Sequence, residues 1–473
     1  MKFGTSGLRG LVTDLQGHAS ALYATAFGRY LLDAGLAKPG DRVFVAGDYR
    51  PSTPDIAATC MGALARTGLV AVDCGAIPTP ALACYAMARG AASLMVTGSH
   101  IPADRNGIKF YRPDGEIDKT DEQRINQIAA ELSDAIRDLT PGGGSDESSA
   151  AMESFLARYR TMLGKDGLSG LRIGVYQHSS VARDGLVDIL AGFGADVIAL
   201  GRSETFIPVD TEAVSADTIQ LLAGWSAEHR LDAIVSADGD GDRPLVADEN
   251  GAPLRGDLLG LIAAKFLGAS VVVTPVTSNS GIEASGAFEV IRTKVGSPFV
   301  IDGMNMATAA GKSAIMGFEA NGGVLTASSF QSGATNLGAL PTRDSFLPIL
   351  ACLALAKSEA RPLSAIASAF NLPFASADRL ENFPVDTSAA FMTFLRGGAD
   401  NLGSFLRPLG EVLSTSDIDG LRVTLSGGRT IHFRPSGNAP EMRCYVEAAD
   451  ETSSAALLSQ GLTMIQQWAA NRH

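Results

Sequence analysis

The sequence predicts an α/β protein in which three similar units of strands and helices precede a smaller α+β domain. The first observation is a β-rich run that ends in a small polar turn and leads into an Ala- and Leu-rich stretch. It occurs three times, at Arg42–Gly47, Arg172–Tyr176 and Val271–Thr274. Strands that alternate with helical patterns indicate βαβ units and largely parallel sheets. The second observation is that aliphatic residues dominate while aromatic residues contribute only 6%, a balance common in α/β enzymes.

Each unit contains a second strand that ends in an unusual loop. These strands are Ser93–Val96, Ala233–Val235 and Ala314–Met316. The first leads into Thr97–His100, the second into an aspartate-rich loop, and the third into Gly317–Gly323. Because α/β folds place their sites at the carboxyl ends of strands, we expect one functional loop in each unit.

The last hundred or so residues follow a different pattern, which predicts the α+β domain. Leu421–Leu425 and Thr430–Phe433 flank a Ser-Gly-Gly turn that is typical of a hairpin. Arg443–Glu447 is a further strand, and Ser454–Ala470 is an amphipathic helix.

Chain length and turn composition predict four domains. A chain of 473 residues is too long for one ordinary core, and usual domain sizes suggest roughly three or four domains. The Gly-rich stretch Thr140–Ser149 is a predicted linker, and Glu249–Pro253 is a turn near a second boundary. The predicted domains are residues 1–150, 151–252, 253–370 and 371–473.

Charge and cysteine content exclude several classes of function. The net charge is −13 and there is no basic run, which argues against a nucleic-acid partner. Five scattered cysteines without a C-x-x-C pair indicate a reduced cytoplasm and no structural zinc. The start of the chain lacks a signal-peptide pattern, and Leu347–Ala356 is too short to span a bilayer. We therefore expect a cytoplasmic protein without a membrane partner; the oligomeric state is left open.

The run Asp238-Gly-Asp-Gly-Asp-Arg243 is the most informative feature. Three carboxylates separated only by glycine repel one another unless a cation lies between them. Oxygen ligands on a short loop suit a hard ion such as Mg2+ or Ca2+. A simple acidic surface turn needs one Asp-Gly, whereas this loop has three aspartates in five residues. The loop therefore predicts a metal site at Asp238, Asp240 and Asp242.

An EF-hand calcium loop is the alternative metal motif, and the sequence argues against it. Glu249 does lie twelfth from Asp238, as that motif requires. However, Arg243 occupies the sixth position, where the EF-hand needs glycine for its sharp turn, and the preceding segment is strand-like.

Each of four further loops has a functional interpretation and a simpler structural one. Ser99 could act as a nucleophile or phosphate carrier, with His100 and Lys109 as proton carriers or phosphate partners; the alternative is an ST-turn. Arg9 lies in a Gly-rich segment that could also be a flexible start. Glu319 and Asn321 could bind sugar hydroxyls, or belong to a glycine-rich turn. A phosphate cradle or a Pro-Ser-Gly turn is indicated by Arg434, Ser436, Gly437, Asn438 and Arg443.

The order of these loops resembles the α-D-phosphohexomutase family, from Phe3 to Glu447. The family's opening FGTxGxRG is similar to Phe3–Gly10, its phosphoserine loop to Thr97–Pro102, and the NGxK that follows to Asn106–Lys109. Its metal loop DGDGDR is similar to Asp238–Arg243 and its sugar loop to Gly317–Gly323. Its phosphate loop is similar to Arg434–Pro440, and the trailing RxYxEA to Arg443–Ala448. The resemblance implies three related α/β/α mixed-sheet domains and a smaller α+β domain around a central cleft.

The resemblance also implies a reaction. Ser99 would carry a phosphoryl group, give it to a hexose 1- or 6-phosphate, and take it back from the reoriented 1,6-bisphosphate, which also serves as activator. The three aspartates would hold Mg2+ against the phosphate on Ser99. Arg9, His100, Lys109 and Arg243 would supply proton transfer and electrostatic support, with Lys109 as the preferred general base.

The remaining motif residues would bind the small-molecule sugar phosphate. Arg434, Ser436, Gly437, Asn438 and Arg443 would hold the non-reacting phosphate, and Glu319 and Asn321 the sugar hydroxyls. The sugar loop is nearer the phosphomannomutase form than the phosphoglucomutase form; phosphoglucomutase and phosphoglucosamine mutase activities are the alternatives. Two other classes, a Mg2+-dependent phosphohydrolase and a non-catalytic sugar-phosphate sensor, fit less well. The second phosphate cradle argues against the first class, and the intact Ser99 and aspartates against the second.

Departures from the family motifs carry expectations of their own. Gly98 and Ile101 stand where Ala and Asn are usual, which predicts a looser serine loop. Asn438 and Ala439 replace Thr and Glu, so that an amide takes the place of one hydroxyl contact. Gly323 stands where many members have His, which makes the sugar preference the most open point.

Overall fold

The structure, a computed structural model, describes residues 2–4, 7–332, 335–436 and 440–471. Contacts between Cα atoms divide the chain into two compact units. The first consists of residues 1–273 and 296–369, and the second of residues 274–295 and 370–473. Because the short segment 274–295 groups with the C-terminal residues, the units do not follow the linear order of the chain. The four predicted domain boundaries stay a prediction.

The first third of the chain alternates strands and helices. Its strands are β1 (Lys2–Gly4), β2 (Gly7–Leu11), β3 (Arg42–Gly47), β4 (Val70–Ala76), β5 (Ala92–Val96), β6 (Arg105–Arg112), β7 (Gly115–Glu116) and β8 (Ser145–Asp146). Its helices are α1 (Val12–Leu15), α2 (His18–Asp33), α3 (Thr53–Arg66), α4 (Thr79–Met87), α5 (Lys119–Leu132) and α6 (Ser148–Ala157).

The middle of the chain repeats this alternation twice. Its strands are β9 (Arg172–His178), β10 (Asp196–Arg202), β11 (Ala233–Ala237), β12 (Pro244–Ala247), β13 (Val271–Pro275), β14 (Glu289–Thr293), β15 (Ile315–Phe318), β16 (Val324–Thr326), β17 (Phe330–Ser332), β18 (Thr335–Leu337) and β19 (Leu340–Asp344). Its helices are α7 (Arg183–Gly192), α8 (Ala216–His229), α9 (Gly256–Leu267), α10 (Gly281–Ala284), α11 (Ser297–Ala309), α12 (Phe346–Glu359) and α13 (Leu363–Ala369).

The C-terminal part contains one antiparallel sheet and three helices. Its strands are β20 (Phe374–Leu380), β21 (Val412–Ser416), β22 (Leu421–Leu425), β23 (Arg429–Pro435) and β24 (Met442–Ala448), and its helices are α14 (Val385–Arg396), α15 (Ala399–Leu406) and α16 (Glu451–Ala470). The predicted hairpin, the strand near Arg443 and the long final helix are confirmed. No helix in the described ranges is long and apolar enough to cross a membrane.

Three mixed sheets of the chain are built on one plan. In the first sheet β3 pairs in parallel with β4 and β5, in the second β9 pairs in parallel with β10 and β11, and in the third β13 pairs in parallel with β15. Strands β5 and β11 are buried along their whole length. That burial explains their continuous apolar sequences, because strands covered on both faces do not alternate.

Each of the three predicted functional loops joins an antiparallel pair of strands. Residues 97–104 join β5 to β6, residues 238–243 join β11 to β12, and residues 319–323 join β15 to β16. The predicted mixed sheets are confirmed, and in each of the three the functional loop lies where a central parallel strand meets an antiparallel neighbour. The chain reverses immediately after the functional loop, which fixes both ends of the loop in the same sheet.

The predicted linker at Thr140–Ser149 is an integral part of the first unit. Gly142 N–H donates to Ala58 O at 2.8 Å, and a methyl group at Gly142 would lie 2.6 Å from Gly62 Cα. Strand β8 then pairs in parallel with β4. The glycines here permit close packing of backbone on helix α3, and the role of this segment as a linker between domains stays a prediction.

The second unit has its own core under the sheet β20-β24-β23-β22-β21. Buried Phe391, Phe433 and Ile465 belong to that core, with helices α14 and α16 against the sheet. Glu447 explains why the segment 274–295 belongs to this unit. Its carboxylate accepts hydrogen bonds from Ser280 N at 3.0 Å and from Ser280 Oγ at 2.5 Å.

Candidate active site

Ser99 lies at the centre of the first unit's polar cluster. Its side chain is 1% exposed, and its backbone φ of 56° is in the left-handed region, a conformation that costs a non-glycine residue energy and is common at functional sites. Ser99 N–H donates to Thr97 Oγ1 at 2.7 Å, and Ser99 Oγ donates to Asp238 Oδ2 at 2.5 Å. The structure thus joins the serine loop directly to the acidic loop.

Arg50, which the sequence analysis did not single out, holds the serine loop. Its guanidinium donates to Ser99 O at 2.9 Å, Ile101 O at 2.6 Å, Pro102 O at 2.7 Å and Arg105 O at 3.1 Å. A methyl group at Gly98 would lie 2.7 Å from Arg50 Cζ. Gly98 therefore makes room for Arg50, and the prediction of a looser loop was wrong. The available signal was a charged pair, Asp48 and Arg50, directly after a buried strand.

The acidic loop is fixed by hydrogen bonds to its backbone carbonyls. The donors lie beside each of the three mixed sheets. His178 Nε2 donates to Ala237 O at 2.8 Å, just before the loop, and Ser180 Oγ donates to Asp238 O at 2.8 Å. The N–H of Val181 donates to Gly239 O at 3.2 Å, and the N–H of Thr79 donates to Asp240 O at 2.9 Å. Ser345 Oγ donates to Gly241 O at 2.7 Å. Because the carbonyls are occupied, the carboxylates are the groups left to bind a cation.

Cationic side chains surround the three buried carboxylates. Lys109 Nζ donates to Asp240 Oδ2 at 2.5 Å and to Asp242 Oδ2 at 2.6 Å. Arg343 also bonds Asp242 Oδ2, through Nε at 3.0 Å and Nη2 at 2.8 Å. These contacts partly offset the repulsion between carboxylates that the sequence implied.

The three carboxyl groups differ in their electrostatic environment. Burial and the neighbouring Asp240 and Asp242 raise the pKa of Asp238 well above its usual value. Burial would also raise the pKa of Asp242, but Arg343, Lys109 and Arg243 outweigh it and hold that pKa well below its usual range. The pKa of Lys109 is raised, since Asp240 and Asp242 outweigh the effect of its burial. Lys109 is thus protonated in this arrangement, and a role as base requires it to leave the aspartates.

A divalent cation fits the acidic loop. One carboxylate oxygen from each of Asp238, Asp240 and Asp242 lies within 4.8 Å of the others. Buried Asp240 Oδ1 and Asp242 Oδ1 have no hydrogen-bond donor among the described residues. An acceptor without a donor is costly when buried, and two such oxygens beside a third carboxylate form a ligand set that hard cations prefer.

His100, Arg243 and Arg9 add positive or neutral groups near the serine. His100 Nδ1 accepts a hydrogen bond from Arg243 Nη1 at 2.9 Å and lies 3.4 Å from Ser99 Oγ. Burial, together with Arg243, lowers the pKa of His100 to about 4, so the ring is neutral at neutral pH. Burial, Arg243 and Arg343 lower the pKa of Arg9 to about 10, which still leaves it protonated.

Glu319 and Asn321 lie on the hairpin turn between β15 and β16, close to the acidic loop. Both are 5% exposed, and Asn321 Oδ1 accepts the N–H of Gly323 at 3.0 Å. Arg343 Nη1 donates to Glu319 Oε2 at 2.8 Å. Because Arg343 also bonds Asp242, it connects the sugar loop to the acidic loop. The sequence analysis missed this residue, since nothing local distinguishes one arginine in a strand.

The second unit brings together Arg434 and Arg443, which face each other on β23 and β24. Arg434 Nε lies 2.9 Å from Asp419 Oδ2, in an ion pair without hydrogen-bond geometry, and Arg443 Nη2 donates to Glu441 Oε2 at 3.2 Å. Neither buried Nε has a hydrogen-bond acceptor within the described ranges. Ser436 N–H donates to Glu441 O at 3.0 Å. Gly437 and Asn438 lie outside the described residues.

Two family models match the chain. The model of phosphoglucomutase/phosphomannomutase alpha/beta/alpha domain I matches residues 1–135, and that of domain III matches residues 255–372. A phosphomannomutase of Sinorhizobium fredii is 58% identical over 467 residues, 98% of both chains. A phosphomannomutase of Salmonella muenchen is 40% identical, over 98% of this chain and 96% of its own. A phosphoglucosamine mutase of Listeria innocua is 25% identical, over 96% and 95%.

Solved structures share the fold at low sequence identity. A putative phosphomannomutase from Thermus thermophilus matches with a TM-score of 0.77 and 22% identity, over 98% of this chain and 99% of that chain. N-acetylphosphoglucosamine mutase of Aspergillus fumigatus, solved with GlcNAc-6P and magnesium, has a TM-score of 0.57 and 14% identity, over 99% and 96%.

Proposed function

The chain belongs to the phosphoglucomutase/phosphomannomutase family, the α-D-phosphohexomutases, and we propose that it is a phosphomannomutase. It interconverts mannose 1-phosphate and mannose 6-phosphate and also accepts the glucose phosphates. The proposal rests on the relatives named phosphomannomutase at 58% and 40% identity, compared with 25% for a phosphoglucosamine mutase.

One contact carries the mechanism: Ser99 Oγ lies 2.5 Å from Asp238 Oδ2, within a carboxylate cluster that has two buried oxygens without donors. A phosphoryl group on Ser99 Oγ would therefore lie beside any cation bound by the loop. Phosphoryl transfer needs positioning and charge neutralisation above all, and this arrangement offers both.

In the first half-reaction the hexose hydroxyl attacks the phosphorus carried by Ser99. The new P–O bond to the sugar forms while the bond to Ser99 Oγ breaks; the hydroxyl proton passes to a base, and the released Ser99 oxygen takes up a proton. The second half-reaction reverses these changes at the other phosphate of the reoriented 1,6-bisphosphate. Lys109 is the proposed base, and Arg9, His100 and Arg243 support the transferring charge.

Asp238, Asp240 and Asp242 are the residues proposed to hold Mg2+, with a phosphate oxygen on Ser99 as a further ligand. When bound, the ion supplies charge neutralisation for the transferring phosphoryl group. The occupied carbonyls of the loop keep the carboxylates in place before any cation arrives, so that little reorganisation accompanies its binding.

The remaining roles follow the family motifs. Arg434, Ser436, Gly437, Asn438 and Arg443 hold the phosphate that does not react. The Nε groups of Arg434 and Arg443, which have no hydrogen-bond acceptor among the described residues, support an anion there. Glu319 and Asn321 accept and donate hydrogen bonds to the sugar. The four domains predicted from the sequence are each built around one of the four main sheets. A cytoplasmic location is supported by five free cysteines.

Conversion of sugar phosphates tests this function directly. The protein is supplied with mannose 1-phosphate or glucose 1-phosphate, Mg2+ and the matching 1,6-bisphosphate, and the products are separated. Formation of the 6-phosphate from mannose 1-phosphate supports the proposal. Release of inorganic phosphate would instead identify a phosphohydrolase, and binding without conversion would identify a sensor.

A further inference from the structure

Arg343 is the one cation that bridges a carboxylate of the acidic loop and the carboxylate of the sugar loop among the described contacts. Its side chain is 2% exposed. Nε and Nη2 bond Asp242 Oδ2 at 3.0 and 2.8 Å, and Nη1 bonds Glu319 Oε2 at 2.8 Å. A planar guanidinium that is bonded on two edges has its orientation fixed.

The strand register explains this position. Strand β15 pairs with β16 so that Phe318 faces Val324, and β16 pairs with β19 so that Val324 faces Asp344. Arg343 is the neighbour of Asp344 on β19, and its side-chain stem packs over Gly323, the last residue of the sugar loop. The acidic loop reaches the same point, because Ser345 Oγ donates to Gly241 O at 2.7 Å.

Gly323 lacks a side chain where Arg343 needs space. A methyl group at Gly323 would lie 2.8 Å from Arg343 Cδ, 2.9 Å from Cγ and 3.0 Å from Cβ. These atoms form the stem of a side chain whose far end is held by two carboxylates, so the stem cannot move without breaking an ion pair. The φ of Gly323 is not positive, so the backbone itself would accept alanine; the conflict is with Arg343.

We propose that Arg343 is a positioning residue that sets Glu319 for the sugar, and that Gly323 is glycine in order to admit it. A buried Glu319 carboxylate without a cation would turn away from the site, where it would be a poorer acceptor for a sugar hydroxyl. Asp242 anchors the guanidinium from the other side, so the sugar loop takes its position from the acidic loop. This inference rests on the proposed function of Glu319 as a sugar ligand.

A double-mutant cycle between Gly323 and Arg343 tests the inference. Gly323→Ala, Arg343→Ala, the double variant and Arg343→Lys are compared with Gly338→Ala as control. A methyl group at Gly338 meets only Arg158 Nη1, at 3.9 Å. The readouts are KM and kcat for mannose 1-phosphate, the unfolding temperature, and calorimetric affinity for mannose 6-phosphate. The affinity is measured with each substitution placed in Ser99→Ala protein, which cannot turn the ligand over.

Gly323→Ala should weaken sugar-phosphate affinity about tenfold while changing kcat less, because Glu319 shifts with Arg343. In the Arg343→Ala background the same methyl group enters vacated space and should change affinity less than about twofold, the non-additivity expected of residues in contact. Arg343→Lys should recover part of the affinity, since it keeps the charge but not the planar fork. Gly338→Ala should change none of the readouts.

Two results would overturn the inference while the proposed function stands. One is an equal effect of Gly323→Ala with and without Arg343. The other is a lower unfolding temperature in Arg343→Ala with KM and sugar-phosphate affinity unchanged, which would indicate a purely structural arginine. If the unsubstituted chain neither binds nor converts a hexose phosphate, both the proposed function and this inference are wrong.

Discussion

The acidic loop of the first unit and the phosphate loop of the second differ in the kind of group that each leaves without a partner. Among the carboxylates of the acidic loop, the buried Oδ1 atoms of Asp240 and Asp242 have no hydrogen-bond donor among the described residues; Arg243 Nε of the same loop also lacks an acceptor, and it lies 3.8 Å from Asp242 Oδ1. In the second unit the buried Nε atoms of Arg434 and Arg443 have no hydrogen-bond acceptor in the described ranges, although Arg434 Nε forms an ion pair with Asp419. Buried polar groups are normally paired. The carboxylate oxygens therefore indicate a bound cation, and the Nε atoms of Arg434 and Arg443 indicate a bound anion.

The two loops also differ in how they are held. Four carbonyls of the acidic loop, and that of Ala237 before it, accept hydrogen bonds from residues beside the three mixed sheets. Arg434 and Arg443, in contrast, pair with Asp419 and Glu441 of their own unit. The acidic loop is therefore held in place without a cation, whereas Arg434 and Arg443 are two like charges side by side that an anion would stabilise.

Replacing Ser99 tests whether the chemistry belongs to the first unit, and has the largest expected effect. Ser99→Ala should lower isomerisation by about a thousandfold or more, because the covalent carrier is lost, while sugar-phosphate binding remains measurable. Mass spectrometry of the purified protein should show phosphate on Ser99 in a fraction of molecules. Ser149→Ala, at an exposed position of helix α6, is the control. Full activity in Ser99→Ala without any phosphoserine would contradict the assignment.

Removing the cation or one of its ligands tests the unpaired acceptors. Chelation of Mg2+, or replacement of Asp242 by Asn, should lower the rate by roughly a hundredfold or more through lost charge neutralisation. Calorimetry should show weaker Mg2+ binding in the variant, and re-addition of Mg2+ should restore the chelated protein. A chelated protein that keeps its full rate would show that the loop holds no functional metal.

The same loop predicts opposite effects on the stability of the metal-free protein. Asp242→Asn leaves Arg343 with one carboxylate fewer in a buried site and should cost about 3 kcal/mol, seen as a lower unfolding temperature. Asp238→Asn removes a carboxylate whose pKa is raised by burial and by its neighbours. This substitution should leave the unfolding temperature unchanged or raise it. Equal destabilisation by both substitutions would contradict this difference between the carboxylates.

Replacing Arg434 tests the unpaired donors of the second unit. Arg434→Ala should lower kcat/KM by about tenfold to a hundredfold, because one or two charge-assisted hydrogen bonds to phosphate are lost. Part of the loss should appear in kcat, since binding energy from a remote phosphate supports the reacting centre. Arg407→Ala, an exposed arginine of the same unit, should leave both constants unchanged. If Arg434→Ala also leaves them unchanged, the phosphate lies elsewhere.

The choice between sugars is the smallest expected effect, because it depends on contacts to a single hydroxyl. Mannose and glucose phosphates differ only at that hydroxyl, and one hydrogen bond is worth about 0.5–1.5 kcal/mol, or roughly tenfold at best. We expect mannose 1-phosphate to be preferred within that range in a steady-state comparison. A glucose preference above about a hundredfold would contradict both the sugar assignment and the loose discrimination.

Motifs whose chemistry is contained in a few consecutive residues could be read from the sequence. The aspartates of the acidic loop, Ser99 and the strands before them were found because each lies on one short segment. Arg50 and Arg343 were missed, since each acts on a loop distant in the chain and has no local pattern. The glycines at 98 and 323 were noticed as departures, but their reason is the arginine that packs on each.

The sequence by itself determined the family, the alternation of strands and helices, and the chemical types of the loops, because these depend on residue identity and short-range periodicity. The tertiary structure alone decided which groups meet: Ser99 on Asp238, Lys109 between two aspartates, and Arg343 between Asp242 and Glu319. It also packed Gly142 of the predicted linker against helix α3, and grouped residues 274–295 with the C-terminal unit. The physical reason is that these contacts join residues far apart in the chain, and strand register and close packing select them.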